Sequence, residues 1–71
     1  MLSYDKCMEL LEILKEIRRE DVKKDYISLL ELFPKMKLKK PEWTQEDIRE
    51  GLNELREMKR IRITDNFQIR L

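Results

Sequence analysis

The spacing of apolar residues changes at Lys59, and that change constrains the fold more than any other feature of the chain. Before it, Ile48, Leu52, Leu55 and Met58 recur at helical intervals. After it, Ile61 and Ile63 alternate with Arg60 and Arg62, and Phe67, Ile69 and Leu71 alternate with Gln68 and Arg70. A period near 3.6 marks one face of a helix and a period of 2 marks a half-buried strand. Two alternating segments this close together form a hairpin, and both apolar sets share a face only if the loop has an odd number of residues. Thr64-Asp65-Asn66 satisfies this as a type I turn with Asn66 left-handed. That register sets Ile63 opposite Phe67 and Ile61 opposite Ile69.

The helix feeding the hairpin is well delimited. Thr44 is placed to cap it, with Asp47 at the third helical position as a variant capping box. Trp43 before the cap and Ile48 four residues after it have the spacing of a hydrophobic staple. Upstream, a first helix is predicted from Tyr4 to Arg19, with Ser3 as N-cap and Lys15, Arg18 and Arg19 towards its C-terminal end, where cations complement the dipole. Glu20 to Lys24 is a polar connection in which Val22 could form a strand of one or two residues. Asp25 then reads as the N-cap of a second helix, Tyr26 to Phe33, with Tyr26, Ile27, Leu29, Leu30 and Phe33 on its buried side. Pro34 ends it, because proline disfavours the α conformation in the residue before it. Lys35 to Lys40 follow as a basic connection anchored by Met36 and Leu38. The expected architecture is α+β and mostly helical, with residues 1–71 forming a single domain.

Length and composition bound the chemistry. A chain of 71 residues buries only about 60% of its unfolded surface, so a fold of this size is marginal and often reinforced by disulfides, metals or association. Cys7 is the only cysteine and there is no histidine, which excludes an internal disulfide and a zinc site of the Cys/His type. Without histidine there is no imidazole base to activate Cys7, Ser3, Ser28 or Thr44, and no glycine-rich phosphate loop is present. An enzyme is therefore not expected, nor is a metal or other cofactor. A lone cysteine suits a reducing compartment, and charges throughout the first turns leave no signal-peptide core or spanning segment. The expectation is a cytoplasmic protein without membrane association.

The stretch from Asp47 to Ile63, with Leu52 and Leu55 followed by a turn and a β-branched pair, resembles the third helix and first wing strand of the winged helix-turn-helix superfamily. By order of elements the resemblance extends over the whole chain. It implies a three-helix winged helix-turn-helix with a short C-terminal β-hairpin wing, and double-stranded DNA as a partner. Two departures stand out: the family usually has glycine near Lys59, and the connection between the second and third helices is long for a tight helix-turn-helix. Separately, Leu32-Phe33-Pro34-Lys35-Met36-Lys37 is similar to a stretch in the small winged-helix component of dissimilatory sulfite reductases.

In such a fold the third helix faces the major groove, presenting Gln45, Glu46, Arg49, Asn53 and Arg56. Gln45, Arg49 and Asn53 have side chains suited to bidentate purine contacts. The same helix also carries Glu46, Asp47, Glu50, Glu54 and Glu57, which oppose phosphates. It reads equally as a solvated surface with pairs such as Glu46–Arg49. The whole chain holds 16 Lys and Arg against 15 Asp and Glu, a net charge of +1, so binding to DNA depends on how the charge is distributed. Lys35, Lys37, Lys39 and Lys40 lie in the connection, and Lys59, Arg60, Arg62 and Arg70 on or beside the wing. These segments could grip the DNA backbone on either side of a groove. The alternative is a protein-interaction module or a subunit of a larger assembly that does not bind DNA directly. Gly51, in mid-helix, serves close packing or a close approach to a partner, and Trp43 is either core or a stacking platform. The apolar face of the first helix spans about 220° at roughly 100° per residue, wider than a surface helix needs. Either the other helices cover it, or Met8 and Ile13 form a homodimer contact.

Overall fold

The computed structural model describes residues 2–21 and 23–71. Helix α1 (Tyr4–Glu20) is followed by strand β1 (Ile27–Ser28), helices α2 (Leu29–Lys39) and α3 (Gln45–Glu57), and strands β2 (Arg62–Ile63) and β3 (Gln68–Arg70). The strands form one antiparallel sheet in the order β1-β3-β2. The fold is α+β and mostly helical.

Helix α1 begins where the Ser3 hydroxyl accepts a hydrogen bond from the Lys6 N–H at 3.3 Å, satisfying one of the donors that a helix start leaves open. Cys7, Leu10, Leu11, Ile13, Leu14 and Ile17 are all buried along it. Its wide apolar arc is thus taken up by the chain's own core. Ile13 is only 6% exposed and Met8 packs half-buried against the same cluster, so neither residue stands on an open flank.

The middle of the chain departs most from the sequence reading. The Val22 strand lies outside the described residues. The strand that forms is Ile27–Ser28, with Ile27 paired to Ile69 and Ser28 to Gln68. Ser28 rather than Asp25 caps α2, its hydroxyl accepting from the Leu30 N–H at 3.3 Å; the Asp25 carboxylate instead accepts from Arg70 at 2.9 Å. Pro34 does not end the helix but lies inside it. A proline there removes the hydrogen bond to the carbonyl four residues back, that of Leu30. Leu30 is 86% exposed and Pro34 is exposed, so water can satisfy that carbonyl. On the opposite side Leu32 and Met36 are fully buried, and their burial carries the helix through the break. Lys35, Lys37 and Lys39 are consequently helical residues, Lys40 is the C-cap, and the connection to α3 shrinks to residues 40–44.

Helix α3 starts as its sequence implies. The Thr44 hydroxyl accepts from the Asp47 N–H at 3.1 Å, and the Asp47 carboxylate accepts from the Thr44 N–H at 3.2 Å. Trp43 and Ile48 are both buried. Gly51 faces α1 so closely that a Cβ would stand 2.6 Å from a methyl of Leu10 and 3.7 Å from the Trp43 ring; close packing explains the glycine. The helix ends in a Schellman motif: the Arg60 N–H donates to the Leu55 carbonyl and the Lys59 N–H to that of Arg56, each at 2.9 Å. The left-handed position this motif requires is filled by Lys59, at φ 60°.

The hairpin has the expected kind of loop, placed one residue further along. The Thr64 N–H donates to the Gln68 carbonyl at 2.9 Å and the Phe67 N–H to the Thr64 carbonyl at 3.0 Å, so Asp65, Asn66 and Phe67 form the loop. Phe67, not Asn66, is left-handed, at φ 57°. Ile63 therefore pairs with Ile69 and Arg62 with Arg70. The slip moves each pairing by two positions, which keeps Ile61 and Ile69 inside. It ejects Phe67, which is 66% exposed, instead of setting it against Ile63.

Candidate nucleic-acid interface

Strand alternation and the Schellman turn together build a basic cleft. Arg62 and Arg70 occupy the outward positions of β2 and β3, next to inward Ile63 and Ile69. They sit directly across from one another in the sheet, a like-charge pairing that destabilises a ladder. The turn at Lys59 folds the chain back so that Arg56, Lys59 and Arg60 line the same recess. The cleft measures about 650 Å³, and Arg56, Lys59, Arg60, Arg62 and Arg70 line it with Ile61, Ile63, Thr64 and Leu71. No carboxylate side chain contributes to its wall.

Two of these cations are held in place. Arg70 bonds Asp25 at 2.9 Å, and Arg56 donates to the Asn53 side chain at 2.6 Å with Glu57 at 3.9 Å. Lys59, Arg60 and Arg62 make no ion pair among the described residues. Leu71 also borders a second recess, of about 420 Å³, lined by Lys15, Arg18, Arg19 and Lys24. This wall too lacks carboxylate side chains, although Lys15 reaches Glu12 at 3.6 Å and Lys24 reaches Glu31 at 3.1 Å. The hydrogen bond to Glu31 pushes the Lys24 ammonium pKa above its ordinary value, keeping it charged.

No protein-family model, curated protein or solved structure matches the chain.

Of the residues singled out from sequence, Arg56, Arg60, Arg62 and Arg70 converge on the first cleft. The helix α2 lysines do not join them. Lys39 bonds Glu20 and Lys40 bonds Glu9, both at 3.1 Å, so these two tie α2 to α1; the Glu9 bond raises the Lys40 pKa. Lys37 and Gln45 border a separate groove between α2 and α3, floored by Phe33, Pro34, Trp43 and Ile48. Lys35 is half-buried elsewhere on α2, and Arg49 and Asn53 are exposed on α3. No ion pair joins Glu46 to Arg49 among the described residues. Trp43 is 6% exposed, with Lys6 above its ring at 5.4 Å, so it serves the core. Lys15, Arg18, Arg19 and Lys24 are additions to the site. Sequence carried only the dipole-complementing position of Lys15, Arg18 and Arg19 and the place of Lys24 in a polar connection, and nothing local links the end of α1 to Leu71.

Proposed function

We propose that this chain is a winged-helix protein that binds duplex DNA through its phosphate backbone, using the arginine cleft at the base of the hairpin. The convergence of Arg56, Lys59, Arg60, Arg62 and Arg70 on one cleft whose lining side chains include no carboxylate carries the reading. The element order and the β1-β3-β2 sheet are compatible with a wing formed by β2 and β3. The shortened connection before α3 also removes one of the departures seen in sequence. A near-neutral net charge of +1 is no obstacle, because the local field governs phosphate contact. No aromatic residue lines either basic recess, which favours a duplex over a single strand, whose bases need stacking platforms.

The test is fluorescence anisotropy with random-sequence duplex at low salt. Affinity falls as salt rises, with a log–log slope of about 0.9 per phosphate contacted. Arg60→Ala and Arg62→Ala each lower that slope by about one contact, whereas Lys39→Ala leaves it unchanged. Absence of binding at low salt overturns the proposal. Helix α2 exposes two leucines to solvent, and that observation favours an additional protein contact.

A further inference from the structure

The solvent side of α2 is apolar. Leu30, Pro34 and Leu38 follow at steps of four residues and so form one row along the helix. Leu30 and Leu38 are each 86% exposed, while Leu32 and Met36 on the other side are fully buried. Apolar rows on two opposite sides are the pattern of a helix covered on both, and this chain covers only the side of Leu32 and Met36. Exposed Phe67 adjoins the start of the row, where its carbonyl accepts from the Leu29 N–H at 3.1 Å. Lys35 and Lys37, beside the row, make no ion pair among the described residues.

The row reads the same from either end. A two-fold axis at Pro34 sets Leu30 across from Leu38 of the partner subunit, and it returns each flank of the helix onto the same flank of its copy. Glu31 and Lys35 share the flank on the Leu38 side, so each carboxylate, one oxygen of which already accepts from Lys24 of its own chain at 3.1 Å, also approaches Lys35 of the partner subunit. On the other flank Lys37 approaches Phe33 of the partner subunit, a cation–π arrangement. Glu31 and Lys35 thus complement their own copy across the two-fold axis. We infer that the chain forms a homodimer through α2, with the Leu30–Pro34–Leu38 rows packed antiparallel. Ridges at steps of four favour a crossing angle near −50°. No residue of α2 lines either basic recess, and the inference does not depend on DNA binding.

Light scattering across rising protein concentration tests it, with circular dichroism confirming that each variant is folded. The wild-type mass climbs from one chain towards two. Leu30→Glu alone and Leu38→Lys alone weaken association by more than about tenfold. Combining both substitutions in one chain restores it, because the new carboxylate faces the new ammonium across the two-fold axis. Leu38→Ser, a neutral change near the end of the helix, is monomeric as well. A wild-type mass that stays monomeric, a dimer that survives the single substitutions, or a double variant that fails to recover would each overturn the inference.

Discussion

At the scale of single residues, two positions hold the left-handed conformation without glycine: Lys59 at φ 60° and Phe67 at φ 57°. Side chains with a Cβ meet a penalty there of roughly 1 kcal/mol or more. Lys59 accepts it at the helix terminus, where the Schellman hydrogen bonds hold the backbone, and its ammonium gains a place in the arginine cleft. Lys59→Gly is therefore expected to stabilise the fold by about 1 kcal/mol while reducing affinity for duplex DNA. Urea denaturation and anisotropy on the same variant check the two effects. A destabilised variant would mean that the lysine stem packs to more effect than its conformation costs. Phe67 shows why local preference misplaces the loop. Asn66 has the better intrinsic affinity for a left-handed position, and the sequence pattern points there. The register obeys Ile63 and Ile69, whose pairing keeps Ile69 fully buried.

At the scale of elements, α2 is the informative case. Its proline lies on the solvent side, and the apolar contacts of Leu32 and Met36 outweigh the lost hydrogen bond. Pro34→Ala restores the donor to the Leu30 carbonyl. It should gain about 1 kcal/mol after allowing for the freer unfolded chain, a rise of about 4–8 °C in Tm for a domain of this size. A scan showing no rise would place Pro34 in a helix already relaxed around it. What is legible in the sequence follows the same division. Helices α1 and α3 announce themselves through local signals, namely the Ser3 cap, the Thr44–Asp47 capping box and long apolar stripes. Strand β1 has only two residues, and its partner Ile69 lies far along the chain. Such pairing leaves no local trace, and Ile27 fits a helix pattern equally well. Half of the basic site is hidden for the same reason: Arg18 and Arg19 reach it only because tertiary packing brings α1 beside Leu71.

At the scale of the whole molecule, the groups with displaced pKa values all shift in one direction. Burial, followed by the nearby Glu54 charge, pushes the Cys7 thiol up. Hydrogen bonds to Glu31 and Glu9 raise Lys24 and Lys40. Each group holds its proton more tightly when folded than unfolded. Its contribution is complete below the unfolded value and is lost as pH rises through the folded one. Stability should be level from neutrality to about pH 8.5 and decline beyond it, first with the thiol and then with the lysines. Urea titrations at neutral pH and near pH 10 measure this, and a flat profile would contradict it. The pairing of Arg62 with Arg70 has a broader consequence. A strand with threonine in place of Arg62 would be firmer by a few tenths of a kcal/mol, just as glycine would suit position 59. Two of the positions where this protein departs from its own stability optimum, Lys59 and Arg62, border one recess, whereas Pro34 and Phe67 lie outside it. A thermal scan of single substitutions, run with no ligand in the tube, should find Lys59→Gly and Arg62→Thr both melting later than the parent, two neighbours on the wall of the arginine cleft.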